Sequence, residues 1–125
     1  MDALVIDDSR AMRTILTRIL NGLGFDVAQA ADGVEALAQL RRQLPAVALV
    51  DWNMPNMNGL ELVLAIRRQK AYGAVKLMMV TTESELHQIA RALAAGADEY
   101  VTKPFTPDVI AEKLELLGLP VTSDA

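Results

Sequence analysis

The sequence contains no cysteine, a single histidine and an aromatic fraction of only 4%. Without cysteine the chain can form neither a disulfide framework nor a thiolate site, so we expect a reducing compartment, the cytoplasm. The lone histidine, His87, leaves zinc without its preferred ligands, and we give it no functional role. The formal net charge of -4 is the opposite of the basic excess that nucleic-acid binding requires, so we expect no nucleic-acid partner.

Long hydrophobic runs are also missing. No apolar stretch approaches the length that crosses a bilayer, and Met1-Asp2 leads into an apolar run without the basic segment of a signal peptide. We therefore expect no membrane partner. The basic residues near the predicted helix ends are interpreted as solvent-exposed charges that complement helix dipoles; they are Arg41, Arg42, Arg67, Arg68 and Lys70.

The pattern that is present is an alternation of short apolar runs with helical periodicity. Runs of three to six residues are typical of buried parallel strands, and the longer i, i+3, i+4 patterns between them are typical of amphipathic helices. With 125 residues and a 52% hydrophobic fraction, this predicts one α/β domain of five strand-helix units, (βα)5, with a doubly wound five-stranded parallel sheet. We place the domain at residues 1–118 and a C-terminal tail at 119–125.

Helix boundaries are marked by capping residues. Gly22 and Gly24 are expected to end the first helix. Side-chain oxygens followed by Glu three residues later predict capping boxes. The predicted starts are Asp32 with Glu35, Asn58 with Glu61, Thr82 with Glu85, and Thr106 followed by Pro107. The expected ends of these four helices are about Arg42, Gly73, Gly96 and Gly118.

Four of the apolar runs end in a reactive polar residue. The residues are Asp7 and Asp8, Asp51, Thr81 and Lys103. Because ligands bind beyond the carboxyl ends of strands in open parallel sheets, we expect these side chains to converge at one edge. Carboxylates held close together repel each other, which raises a pKa unless a cation neutralises them. Magnesium is the cation that suits carboxylates, water and phosphate oxygens, whereas calcium prefers a fuller oxygen cage.

This set of groups suits phosphoryl transfer. Asp51 is the best candidate for a nucleophile, since a carboxylate can carry a phosphoryl group as an acyl phosphate. A metal can cover one phosphoryl oxygen, Lys103 a second and the Thr81 hydroxyl a third. Glycine-rich nucleotide loops are absent, and the adjacent Asp7 and Asp8 differ from the D-x-D pattern of aspartate-based phosphatases.

The chain resembles the receiver domains of response regulators. The resemblance covers nearly its whole length and is carried by the residues of this site. The matching segments are Val5-Ile6-Asp7-Asp8-Ser9, the run from Asp51 to Gly59, Thr81, and Lys103-Pro104-Phe105. The resemblance implies a flavodoxin-like fold with strand order 2-1-3-4-5, the order that such proteins illustrate. It also implies that Asp51 accepts a phosphoryl group from a histidine kinase or a phosphotransfer protein.

The resemblance further implies a role for each site residue. Magnesium would be held by Asp8, Asp51 and the backbone carbonyl of Asn53, with Asp7 acting through water. Lys103 and Thr81 would bind the phosphoryl oxygens. Thr81 would move on activation and Tyr100 would swing inward with it, although an aromatic residue half-buried at a strand end is equally expected for packing reasons. The bond between Lys103 and Pro104 would be cis.

Three residues are implied to set the phosphoryl lifetime. Asn53 and Glu83 resemble a pair that accompanies a short-lived phosphoryl state. Thr82 departs from the family, which usually has Ala or Gly there, and a β-branched residue can restrict access to the acyl phosphate. We therefore expect fast to moderate self-dephosphorylation.

The functional expectation is a single-domain switch, monomeric before phosphorylation, rather than an enzyme acting on external substrates. Its output would be phosphorylation-dependent binding to a protein, such as a flagellar switch component, in chemotaxis or motility. The resemblance places the output surface on the fourth helix, fifth strand and fifth helix. Two alternatives stay open: a phosphate sink or phosphorelay shuttle without its own effector, and a small magnesium-dependent phosphatase.

Overall fold

The computed structural model describes residues 1–122 and contains one five-stranded parallel sheet. The strands are β1 (Asp2–Ile6), β2 (Asp26–Ala30), β3 (Val47–Asp51), β4 (Lys76–Thr82) and β5 (Glu99–Lys103). Their order in the sheet is β2-β1-β3-β4-β5, which confirms the predicted fold and strand order. β2, which mixes polar and apolar residues, lies at one edge of the sheet, and β5 lies at the other.

Five α-helices connect and follow the strands. They are α1 (Arg10–Gly22), α2 (Gly33–Arg42), α3 (Gly59–Arg67), α4 (Ile89–Ala95) and α5 (Pro107–Leu116). The predicted caps are present: Asp32 and Thr106 accept hydrogen bonds from the third helical N–H, and Asn58 with Glu61 forms a complete capping box.

Two of the predicted helix ranges are wrong. α3 stops at Arg67 instead of continuing to about Gly73, because Lys70–Tyr72 forms a separate 3-10 turn. The helix expected to start at Thr82 is a 3-10 segment over Glu83–Gln88, and α4 begins only at Ile89. In this segment Glu85 turns inward and is buried, so the local geometry serves a buried side chain rather than a regular helical turn.

The sheet separates two apolar clusters, as a doubly wound topology requires. One cluster packs α2, α3 and α4 against residues such as Leu4, Val50 and Met79, and the other packs α1 and α5 against Val5, Leu49 and the rest of the opposite face. Every residue of β3 is buried. This rigid centre fixes where the strand ends lie.

The segment predicted as a tail begins with residues that contact the protein. Leu119 and Val121 pack against the cluster formed by α1 and α5, and the Thr122 N–H donates to the Leu23 carbonyl at 3.0 Å. Positions 123–125 of the predicted tail lie outside the described residues, and the division at residue 118 stays a prediction. None of the helices within residues 1–122 is long and apolar enough to cross a membrane.

Candidate functional site

The carboxyl ends of β1, β3, β4 and β5 are neighbours in the sheet, and each supplies one polar side chain to a common edge. Asp7 directly follows β1, Asp51 is the last residue of β3, Thr81 is next to last in β4, and Lys103 ends β5. Asp51 pairs in register with Val80, and Thr82 with Lys103. The convergence predicted from the strand ends is therefore present.

Three carboxylates form the centre of this edge. One oxygen from each of Asp7, Asp8 and Asp51 can be chosen so that all lie within 4.8 Å of one another. Asp7 and Asp51 are only 1% and 6% exposed, whereas Asp8 is exposed to solvent. Such an oxygen-only set, open on one side, suits a hard divalent cation that retains water ligands.

Asp7 is held by the turn that begins α1. Its Oδ1 accepts the Ser9 N–H at 2.8 Å, and its carbonyl accepts from the Arg13 guanidinium at 2.8 Å. Its Oδ2 is fully buried and has no hydrogen-bond partner among residues 1–122; Lys103 Nζ lies 4.0 Å away. Because a buried carboxylate oxygen without a partner is costly, this atom is suited to contact a positively charged ligand.

The electrostatics of the cluster agree in direction with the sequence analysis. Burial, and after it the charge of Asp7, raise the pKa of Asp51, Lys103 opposes both effects, and the net pKa is about 6. The pKa of Asp7 is also raised, chiefly by burial. Repulsion between the acids was expected from the sequence, but removal from water is the larger cause.

Lys103 is the cation of the site. Its Nζ donates to Asp51 Oδ1 at 3.1 Å. The peptide bond that follows, between Lys103 and Pro104, is cis. The ammonium therefore already lies against the carboxylate that the sequence singled out as a nucleophile.

The loop between β3 and α3 passes close to Asp51. Gly59 starts α3, and a Cβ built there would lie 2.7 Å from the Asp51 carbonyl oxygen, so only glycine fits. Asn56 has a φ of 68°, a left-handed conformation that asparagine tolerates better than most residues. Trp52 is 4% exposed and packs in the core beside the site.

A residue that sequence reasoning used only as a helix cap enters the site. Glu85 is 8% exposed, and its carboxylate contacts Thr81, Thr82 and Asn53. Glu83, which the resemblance links with Asn53 to the phosphoryl lifetime, is exposed, and the Asn53 side-chain amide donates to Glu85. Thr82 is half-buried, with its hydroxyl 2.9 Å from that of Ser84.

Tyr100 lies away from the acids, on the face of β5 that packs towards α4. It is half-buried against the cluster that contains Met79, and Lys113 Nζ is 4.7 Å from the centre of its ring. Lys113 also pairs with Glu99 at 3.1 Å. These contacts connect the ring to α5.

Known proteins resemble this chain in both sequence and fold. The family model for the response regulator receiver domain matches residues 3–115. A chemotaxis protein CheY homolog of Campylobacter jejuni is 48% identical over 117 residues, which cover 92% of this chain and 90% of that protein. Chemotaxis protein CheY1 of Helicobacter pylori is 44% identical, with 94% and 96% coverage.

Solved structures give the same result. Chemotaxis protein CheY4 of Vibrio cholerae superposes with a TM-score of 0.86 at 36% identity, over 92% of this chain and 96% of that one. A putative response regulator from Chloroflexus aurantiacus has a TM-score of 0.88 at 28% identity, over 93% and 95%. With this coverage and the strand-end residues in place, the chain belongs to the response regulator receiver domain family.

Proposed function

We propose that this chain is a CheY-type signalling switch of a chemotaxis or motility pathway, acting in the cytoplasm. A histidine kinase or phosphotransfer protein donates a phosphoryl group to Asp51, and the phosphorylated form binds a protein target such as a flagellar switch component. The observation that carries this proposal is the buried Asp51 carboxylate, 3.1 Å from Lys103 and clustered with two further acids. The curated relatives that are named chemotaxis proteins support the output.

The acid cluster fits Mg²⁺. Asp8 and Asp51 are the proposed direct carboxylate ligands, the backbone carbonyl of Asn53 a third, and Asp7 is proposed to act through water. The fit rests on the orphaned Asp7 Oδ2 and on the spacing of the three acids. A bound Mg²⁺ supplies charge neutralisation, both for the carboxylates and for the incoming phosphoryl oxygens.

Transfer requires Asp51 to be ionised. With a pKa of about 6, most of the population carries the carboxylate at neutral pH. An Asp51 oxygen forms a new P–O bond while the bond between phosphorus and the donor nitrogen breaks, so the group moves without a net change in oxidation. Lys103 and the Thr81 hydroxyl are proposed to bind the phosphoryl oxygens, and hydrolysis later returns Asp51 and inorganic phosphate. The protein thus modifies itself rather than turning over a substrate.

The proposed output surface comprises α4, β5 and α5, with Tyr100 as the aromatic switch. Leu93 on α4 and Val109 on α5 are 41% and 38% exposed, so apolar area is available to a partner there. The half-buried Tyr100 ring lies between the sheet core and Lys113. A change at Thr81 can therefore reach the surface through neighbouring strands β4 and β5.

Trp52 fluorescence provides the first test. We expect emission to change on adding Mg²⁺ and again on adding a small-molecule phosphodonor such as acetyl phosphate. Asp51→Asn should abolish the second response, because it removes the acceptor oxygen. If Asp51→Asn responds equally to the phosphodonor, or incorporates the same amount of labelled phosphate, Asp51 is not the phosphoryl acceptor.

A second experiment tests the output. The protein loaded with Mg²⁺ and beryllofluoride, a phosphoryl mimic, is mixed with candidate flagellar switch peptides, with Asp51→Asn as the control. Binding confined to the loaded parent supports the chemotaxis role. Phosphotransfer without any activation-dependent partner would instead support the sink or shuttle.

The proposed phosphoryl lifetime depends on Thr82, Asn53 and Glu83. If the Thr82 side chain shields the acyl phosphate, Thr82→Ala should accelerate its decay by a few fold, on the order of threefold. Decay of phosphoprotein after kinase removal measures this rate. Equal rates in the parent and in Thr82→Ala would show that the Thr82 side chain does not shield the acyl phosphate.

A further inference from the structure

Glu85 is a buried acid that the proposed chemistry does not use. Among residues 1–122 the buried polar and charged residues are Asp7, Asp51, Thr81 and Glu85, and the first three already have a part in the proposed site. Glutamate is rarely this inaccessible unless partners compensate for its lost hydration. The partners of Glu85 therefore indicate what its burial achieves.

The Glu85 carboxylate connects two loops of the site. Its Oε1 accepts the Thr82 N–H at 3.0 Å and lies 3.2 Å from the Thr81 hydroxyl. Its Oε2 accepts a hydrogen bond from the side-chain amide of Asn53. One carboxylate thus links the carboxyl end of β4 to the loop after β3.

The contact with Thr81 is a competition for one proton. The Thr81 hydroxyl lies 3.2 Å from Glu85 Oε1 and 3.2 Å from the Thr82 carbonyl, and it can donate to only one acceptor at a time. The charged acceptor forms the stronger hydrogen bond. Within the described residues this hydroxyl donates to neither Asp51 nor any other member of the acid cluster.

A purely structural role explains only part of this. As a capping residue, Glu85 needs to accept only the Thr82 N–H. The bonds to the Thr81 hydroxyl and to the Asn53 amide do nothing for the 3-10 segment. Both partners belong to the proposed phosphoryl and metal site.

We propose that Glu85 is a positioning residue that holds the Thr81 hydroxyl in the unphosphorylated arrangement, so that phosphorylation must displace this carboxylate from Thr81. The inference rests on the proposed function, since it assumes that a phosphoryl group on Asp51 recruits Thr81. Glu85 then sets how strongly the resting state is favoured, and the Asn53 amide fixes the carboxylate in the competing position.

The test is a beryllofluoride titration at saturating Mg²⁺, followed by Trp52 fluorescence. Glu85→Ala should tighten beryllofluoride binding about tenfold, because the hydroxyl no longer has to leave a charged acceptor. Removing a nearby negative charge also favours an anion, so the experiment is repeated in a Thr81→Ala background. There the same substitution should have an effect of less than about threefold, since the contested hydroxyl is gone.

Controls separate the possible results. Glu35→Ala removes an exposed acid in the first turn of α2 and should leave the affinity within about twofold. Glu85→Gln preserves shape if Glu85→Ala folds poorly, and should tighten binding by a few fold, about threefold, because a neutral oxygen holds the hydroxyl less strongly.

Three outcomes count against the inference, and the first can be told apart from the other two. No fluorescence response in the parent would refute the proposed function and the inference with it. A normal parent response with unchanged affinity in Glu85→Ala and Glu85→Gln would overturn the inference alone. So would equal tightening in the Thr81→Ala background.

Discussion

At the scale of single residues, the site is an arrangement of charges that the fold holds against their preference. Burial of Asp51 and the nearby charge of Asp7 raise its pKa, and Lys103 compensates only in part, so the net pKa is about 6. A strained charge of this kind favours anything that neutralises it, whether a proton or a metal ion. The charges of this site therefore determine how the stability of the protein responds to pH.

In the metal-free protein, the titration of Asp51 makes the free energy of unfolding depend on pH. The pKa of Asp51 rises from its ordinary value of 3.8 in the unfolded chain to about 6 in the folded protein, so the folded state binds more protons between these values. The resulting stability is fully present below about pH 4 and is lost as the pH rises through about 6. We expect the free energy of unfolding to be about 1.4 kcal/mol higher at pH 5 than at pH 8 from this group alone.

Urea unfolding in a metal chelator measures this difference. Asp51→Asn, which cannot titrate, should lose most of it and serves as the matched control. Stability that rises from pH 5 to pH 8 by more in the parent than in Asp51→Asn would contradict the sign of the raised pKa.

Sequence reasoning at this scale succeeds for strand-end residues and fails for Glu85. The position of Asp7, Asp51, Thr81 and Lys103 follows from where apolar runs stop, which is a local property. The inward turn of Glu85 depends on Asn53, 32 residues earlier, and on a 3-10 geometry that a capping pattern does not distinguish from an α-helical one.

At the scale of elements, a cluster centred on Arg67 ties together the sheet edge opposite the acids. The Arg67 guanidinium donates to the carbonyls of Gly96, Tyr72 and Val75 at 2.8–3.1 Å and pairs with Asp98 at 3.0 Å. From the sequence, Arg67 was interpreted as a solvated charge near a helix end. That interpretation is wrong because the side chain turns towards the loops that flank β4.

We predict that Arg67→Met lowers the free energy of unfolding by about 3 kcal/mol, since several carbonyls and the Asp98 carboxylate lose their partner. The neighbouring Arg68 is exposed, and Arg68→Met should change stability by less than about 0.5 kcal/mol. Equal destabilisation by the two substitutions would show that charge, rather than this cluster, is responsible. Urea denaturation gives both values.

The same scale shows which helix boundaries a sequence can predict. Caps are short-range, and those at Asp32, Asn58 and Thr106 are found as predicted. α3 is followed by the 3-10 turn at Lys70–Tyr72, which the apolar pattern does not distinguish from a continued helix, so the pattern alone extended α3 to about Gly73. The alternation of elements and the strand order, in contrast, follow from the periodicity and the family resemblance.

At the scale of the whole molecule, the last described residues close the cluster between α1 and α5. Leu119 and Val121 are half-buried, and Thr122 bonds to Leu23 through both its N–H and its hydroxyl. A chain that ends at Gly118 should therefore be less stable than one that ends at Thr122, by about 2 kcal/mol. Thermal unfolding of the two chains decides whether the domain ends at residue 118, as the sequence suggested; equal stability would support that boundary.

The Arg67 cluster also determines which end of β4 opens least readily. Asp98 Oδ2 accepts the Leu77 N–H at 2.8 Å as well as the guanidinium, so the start of β4 is fixed from two directions. The far end of the same strand leads into the 3-10 segment, in which Glu83, Ser84 and His87 are exposed to solvent. In amide hydrogen exchange, the protons near Leu77 should therefore be protected longest, and those of residues 83–88 should exchange first. The amino end of β4 is then the anchored end, and the 3-10 segment after its carboxyl end is the part able to rearrange with the site.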